Sequence, residues 1–203
     1  MLEKFLQILA TLPLLQMPMF GEISREFFKL KGDFQQSSKI KVNLRCAVWN
    51  VCSMNNKLPN IMEHILDYNS DIVFLTETWL QTDKNPITAE IKTYGYTLLH
   101  DRRKDRQKDR GGGIGVLVKN NVSAKQLKVK AYSSFEHTIV QIQLCNRKLL
   151  FVISIYRLQE VATATFFDEF TELLDSYALS NECFIIAGDT NIHMETESAR
   201  KTF

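Results

Sequence analysis

The sequence predicts an α+β or α/β fold in which β-sheet dominates. Most apolar runs are short or alternate at every second position, the spacing of strands, whereas two stretches after residue 40 repeat at helical spacing. The 203 residues are 45% hydrophobic and 24% charged, with 8 Gly and 4 Pro, which excludes a disordered, collagen-like or low-complexity chain and fits one ordinary domain. The net charge of +2 excludes a global basic field, so any nucleic-acid contact must use a local patch.

The opening MLEKFLQILATLPLLQMPMFG is apolar, but Glu3 dilutes its charged start, Gln7 interrupts it and no small-x-small site closes it. Leu2, Phe5, Leu6 and Leu9 instead share one helical face, and a polar QQSS ends at Ser38. Residues 1–39 are therefore set apart as an N-terminal extension, and the domain is expected over 40–203. Val42, Leu44, Cys46 and Val48 then alternate as a half-buried strand. Pro59 opens a helix with Ile61, Met62, Ile65 and Leu66 on its apolar face, because a first-turn proline has no N–H to waste. Asp71 through Thr76 reads as a fully buried strand. Further strands are expected over 112–118, 122–129, 138–144 and 149–155. Thr165 and Asp168 form a capping box for a helix burying Phe166, Phe167, Phe170, Leu173, Leu174 and Tyr177. Cys183 through Ala187 is the last strand.

Chemically capable side chains follow four of these strands. Asn50 follows the first, Glu77 the second, Tyr156 the strand over 149–155, and Asp189 with Asn191 the last. Singly, each fits a turn or strand-end residue. Together, on strands running the same way, they line one rim, where rigid sheets present binding and catalytic groups. Two carboxylates there can share a hard cation such as Mg²⁺, which takes one or two carboxylates with water and phosphate oxygens.

Five motifs in order make the chain recognisable: Trp49-Asn50-Val, Phe74-Leu-Thr-Glu77-Thr-Trp79, Gly111-Gly-Gly-Ile-Gly-Val116, Ser154-Ile-Tyr156-Arg157 and Ala187-Gly-Asp189-Thr-Asn191-Ile-His193. Over residues 40–198 they resemble the endonuclease/exonuclease/phosphatase superfamily, above all the apurinic-type endonuclease domain of LINE-type non-LTR retrotransposons. The resemblance implies an α+β, DNase I-like fold, a two-sheet β-sandwich flanked by helices with the active site between the sheets. It implies that Glu77 holds a divalent cation, Mg²⁺ or Mn²⁺, with Asn50 supporting metal and phosphate. Asp189 would orient or deprotonate the attacking water, Asn191 stabilise the scissile phosphate and Tyr156 contact it. A phosphodiester repels hydroxide, so a cation must offset the developing charge while a carboxylate activates water.

The departures from the pattern are specific. Thr190 stands where the family has Phe, and Leu158 where it has Pro. The family continues to further strands, an Asp and a terminal Ser-Asp-His, so the resemblance implies a C-terminally truncated domain with little turnover. His193 matches a secondary His of the retrotransposon branch, and His64, His100 and His137 match no catalytic position. The run over 100–110 holds six basic and three acidic side chains. Arg102, Arg103, Lys104, Arg106 and Arg110 are candidates for DNA-backbone contact, against a solvated loop as the plainer reading. The glycine triplet lacks the GK[ST] of a P-loop and serves the turn into the next strand.

The expected function is thus a metal-dependent DNA endonuclease domain. The alternatives are a catalytically inactive remnant that binds nucleic acid and, more weakly, a lipid or inositol-phosphate phosphatase. DNA is the expected partner. No run approaches the roughly 20 apolar residues of a membrane helix. Cys46, Cys52, Cys145 and Cys183 form no CxxC pair, which suits reduced thiols in an intracellular protein, nuclear or cytoplasmic.

Overall fold

In the computed structural model the described residues are 25–34, 40–81, 85–101, 111–144, 148–157, 163–178 and 183–191. The elements run β1 (Arg25–Phe34), β2 (Ile40–Asn50), α1 (Leu58–Asp67), β3 (Ile72–Thr76), α2 (Pro86–Thr93), β4 (Tyr96–Asp101), β5 (Ile114–Lys119), β6 (Ala124–Gln126), β7 (Glu136–Gln143), β8 (Leu149–Tyr156), α3 (Ala164–Ala178) and β9 (Cys183–Asp189). They build a five-stranded sheet ordered β1-β2-β3-β5-β4 and a four-stranded sheet ordered β6-β7-β8-β9. β2 and β3 are parallel and joined through α1; β8 and β9 are parallel and joined through α3. The remaining neighbours are antiparallel.

Three apolar layers hold this sandwich, and the two-residue period of a strand dictates them. Cys46, Ile72, Phe74, Val116 and Val118 of the first sheet face Val140, Ile142, Leu150, Val152, Ile185 and Ala187 of the second. The alternate residues Ala47, Trp49, Val73, Leu75 and Leu117 take Leu58, Ile61, Met62 and Ile65 of α1 and Ile91 of α2 on the outer face. Beneath the second sheet, Ile139, Ile153, Ile155 and Ile186 pack on Phe166, Phe170 and Leu173 of α3. The expected two-sheet β-sandwich with flanking helices is the observed architecture. No helix among the described residues is long and apolar enough to cross a membrane.

Several local expectations change. β2 is covered on both faces rather than half-buried, because α1 packs behind Ala47 and Trp49. Leu66 stands 45% exposed at the end of α1, off the stripe of Ile61, Met62 and Ile65. The helix over α3 is capped by Thr163 and not Thr165: the Thr163 hydroxyl accepts the Phe166 N–H at 3.3 Å, while Thr165 lies inside the first turn. The run over 122–129 keeps a strand only over Ala124–Gln126, after which Leu127 and Val129 turn to the layer under α3. α2, capped by Asn85 accepting from Ile87, and β4 were not legible in the sequence, since each offers few buried apolar positions. β1 pairs antiparallel with β2 from Arg25↔Trp49 to Phe34↔Ile40, so the sheet reaches into residues 1–39, which the sequence sets apart as an extension. The other residues of that segment, Cys145, Leu158 and His193 lie outside the described residues. Of the remaining histidines, His64 packs edge-on against Trp49, and His137 is buried beside Tyr132 and Phe135.

Two contacts make the fold testable. Gly188 pairs with Ile155 at φ +146°, and a Cβ there would stand 1.9 Å from the Ile155 carbonyl oxygen. Gly188→Ala is expected to cost on the order of 3 kcal/mol or more, through backbone strain plus overpacking, checked by urea unfolding. An unchanged midpoint would mean that β9 does not lie this close to β8. Glu169 of α3 accepts the backbone N–H groups of Ser133 and Ser134 and both hydroxyls. Burial works against its charged form, but these bonds outweigh it and hold the carboxyl at about 2, below its ordinary 4.5. A depressed carboxyl stabilises above its unfolded value and loses that contribution as the pH falls through the folded one. Glu169→Gln is therefore expected to cost about 1 kcal/mol at neutral pH, allowing for solvent screening. The difference from wild type should shrink below about pH 4.5 and vanish near pH 2.

Candidate active site

The inner face of each sheet runs from the apolar core straight to a polar rim. Two residues beyond Val48 on the inner row of β2 stands Asn50, and two beyond Ala187 on β9 stands Asp189. On β8 the inner row passes from Val152 through the buried Ser154 to Tyr156. Glu77 leaves the end of β3 at φ +55°. Because β2 and β3 are parallel, as are β8 and β9, all four carboxyl-terminal ends meet on one edge of the sandwich.

There the four side chains join one network. Asn50 Nδ2 donates to Glu77 Oε1 at 3.0 Å and to Asp189 Oδ2 at 3.2 Å, and the Tyr156 hydroxyl donates to Glu77 Oε1 at 3.0 Å. Asn50 Oδ1 accepts from the Cys52 N–H and thiol, both at 3.2 Å, which fixes the amide plane. The Asn191 N–H donates to Asp189 Oδ1 at 3.0 Å, while its side-chain amide turns away to the Arg157 carbonyl. Asn50, Glu77, Tyr156 and Asp189 are thus brought together, and Asn191 adjoins them through its backbone. The basic run over 102–110 lies outside the described residues.

Electrostatics follow from this crowding. Burial raises the Asp189 carboxyl above the usual range, the Asn191 N–H and the Asn50 amide pull it back, and the charge of Glu77 adds to the rise. Burial, then Glu77, pushes the Tyr156 phenol far upward, so it stays protonated and serves as a donor. Cys52 is likewise raised by burial and then by Glu77, which suits a thiol donor rather than a thiolate nucleophile.

Local backbone is bent to reach this arrangement. Cys52, Ser53, Glu77, Trp79 and Asn191 all have positive φ, a conformation non-glycine residues adopt at a cost. Cross-bonds hold them: Ser53 N–H to the Glu77 carbonyl at 2.8 Å, Thr78 N–H to Gly113 at 3.1 Å and Trp79 N–H to Gly112 at 3.0 Å. The glycine triplet is therefore a backbone clamp on the Glu77 loop. A Cβ on Gly113 would stand 2.6 Å from Thr78 Oγ1. Its N–H donates at 2.7 Å to Glu136, which stands opposite Tyr156 in the β7–β8 register. No local pattern marks Glu136 or Cys52 as neighbours of the site; for Arg157 the one signal in the sequence is its place next to Tyr156.

The donor set suits a hard divalent cation. Glu77 Oε1 and Asp189 Oδ2 both accept from Asn50 Nδ2, so two carboxylates stand on either side of one amide, an oxygen-rich set of the kind that such a cation takes. Among the described residues no three of His, Cys, Asp and Glu come together. Such a cation would keep several positions for water or phosphate oxygens, as Mg²⁺ does.

A family profile described as the endonuclease/exonuclease/phosphatase family matches residues 47–202. No curated protein matches in sequence. Among solved structures, the catalytic domain of human Nocturnin is similar with a TM-score of 0.59 at 15% identity, over 87% of this chain and 70% of that one. The 3′ phosphatase NExo from Neisseria, solved with a product DNA hairpin, gives 0.55 at 18% identity over 73% and 58%. The endonuclease domain of TRAS1, a telomere-specific non-LTR retrotransposon, gives 0.52 at 10% identity over 76% and 66%. The chain thus spans from 58% to 70% of the length of these three structures. By its profile match, and by the sandwich that carries it, the chain belongs to the endonuclease/exonuclease/phosphatase family, whose members are hydrolases.

Proposed function

We propose that this domain is a divalent-cation-dependent phosphodiesterase of the nuclease type, derived from a non-LTR retrotransposon and acting on DNA. The observation that carries the reading is the single network of Glu77, Asn50, Tyr156 and Asp189 at the ends of four strands. Two carboxylates, an amide and a protonated phenol on one rim are the groups that hydrolysis of a phosphodiester needs.

Glu77, with Asn50 beside it, would hold Mg²⁺ or Mn²⁺, which when bound offsets the negative charge of the phosphate. Asp189 orients a water molecule for attack at phosphorus and takes its proton. Tyr156 keeps its proton and donates it as a hydrogen bond, to Glu77 in the free protein and to a phosphate oxygen in the complex. Asn191 supplies an amide donor to the same phosphate once its side chain leaves the Arg157 carbonyl. Attack forms one P–O bond and breaks another, and the proton from water ends on the leaving oxygen.

Relaxation of supercoiled plasmid with Mg²⁺ or Mn²⁺ tests this reading. Glu77→Gln and Asp189→Asn are each expected to lower turnover roughly 10²–10³-fold. Glu77→Gln should also weaken Mg²⁺ binding by calorimetry; equal affinity would remove Glu77 from the metal site. Release of phosphate from a 3′-phosphorylated duplex without nicking would favour a phosphatase, and binding without either reaction would favour an inactive remnant.

If Arg102, Arg103, Lys104, Arg106 and Arg110 touch DNA phosphates, alanine at these positions should flatten the salt dependence of binding by about 0.9 in log–log slope per lost duplex contact. An unchanged slope returns the run to a solvated loop.

A further inference from the structure

Arg157 follows β8 and is 1% exposed, among the largest fully buried side chains of the domain. A buried guanidinium costs several kcal/mol unless its donors are satisfied, so its partners show what it is held for. Among the described residues, two of its side-chain donors go to the turn that carries Asp189 and Asn191. Nε donates to the Thr190 carbonyl at 2.6 Å and Nη2 to the Asn191 carbonyl at 3.0 Å. The Arg157 backbone N–H donates to the Asp189 carbonyl at 2.9 Å, and its carbonyl accepts from the Asn191 side-chain amide. The Phe166 ring lies 5.0 Å from Cζ, a cation–π contact that covers the guanidinium from the α3 side.

The turn needs this support. Asn191 has φ +50°, a conformation that a free chain leaves readily, and its N–H, which shares a peptide plane with the Thr190 carbonyl, donates to Asp189 Oδ1 at 3.0 Å. That bond, with the Asn50 amide on Oδ2, fixes the direction of the Asp189 carboxylate. A planar fork with several fixed donors can bind two successive carbonyls at once; an ammonium on a flexible stem cannot hold both in one plane.

We propose that Arg157 is a positioning residue: by binding the carbonyls of Thr190 and Asn191 together it holds the Asp189–Asn191 turn in the conformation that aims Asp189 at Asn50 and Glu77. The consequence for rate rests on the phosphodiesterase reading; the consequence for the turn does not.

Arg157→Lys tests both. Hydrogen exchange of the segment 184–191 is expected to rise about tenfold or more, with exchange in β3 and β8 unchanged. The kcat for plasmid nicking is expected to fall roughly 10–100-fold, as a misaligned group costs rate, with KM within about twofold. Unchanged exchange in 184–191, an equal rise in every strand, or a loss confined to KM would overturn the proposal. If Arg157→Lys does not fold, nuclear magnetic resonance of the wild-type chain decides. A slowly exchanging Arg157 Nε–H with separate Nη signals is the expected result, and rapid exchange with averaged signals would overturn it. A wild type without any hydrolysis would sink the phosphodiesterase reading, while the exchange and resonance comparisons would still decide the role of Arg157.

Discussion

Face-to-face packing of the two sheets is the constraint on which the rest depends. Each strand sends alternate side chains inward, so the row that builds the core also determines what arrives at the rim. Leu44, Cys46 and Val48 lead to Asn50; Val152 and Ser154 lead to Tyr156; Ile185 and Ala187 lead to Asp189. A one-residue slip of any of these strands would turn its apolar row out of the core and its polar end out of the site together. Core and site therefore share one register, and burial of the apolar layer enforces the geometry of the polar one.

Converging four polar side chains on a half-buried rim is costly, and the molecule offsets the cost by mutual satisfaction. The Asn50 amide bridges two carboxylates that would otherwise repel, and Tyr156 donates to one of them. The bent backbone of the Glu77 loop is held on one side by the loop from Val51 to Met54 and on the other by the glycine triplet. Arg157 and Phe166 brace the remaining turn from beneath. A site held from several directions is preorganised, which is what an electrostatic catalyst requires.

Much of this was legible from residue order. The strands β3, β7, β8 and β9 and the helices α1 and α3 announce themselves because their buried faces are regular: Ile72 through Thr76 is buried throughout, and Phe166, Phe170 and Leu173 recur at helical spacing. Asn50, Glu77, Tyr156 and Asp189 were recognisable as residues placed just after such strands. α2 and β4 were not, since Ile91 is the only fully buried residue of the one and Tyr96 and Leu98 the only buried residues of the other. Thr163 and Thr165 offer the same capping chemistry two residues apart, and only the path of the chain distinguishes them.

What the sequence determined by itself is periodicity and chemistry: which segments bury one face or two, and which polar groups stand at their ends. These depend on neighbours within a few residues, where spacing translates directly into facing. What only the tertiary structure decided is pairing. That Asn50 lies between Glu77 and Asp189, 27 and 139 residues away, follows from parallel strands and stacked sheets rather than from any local pattern. The same holds for the glycine triplet clamping Thr78 and Trp79, and for Arg157 facing the carbonyls of Thr190 and Asn191. Backbone carbonyls and N–H groups are identical at every position, so their partners are chosen by where the fold sends the chain.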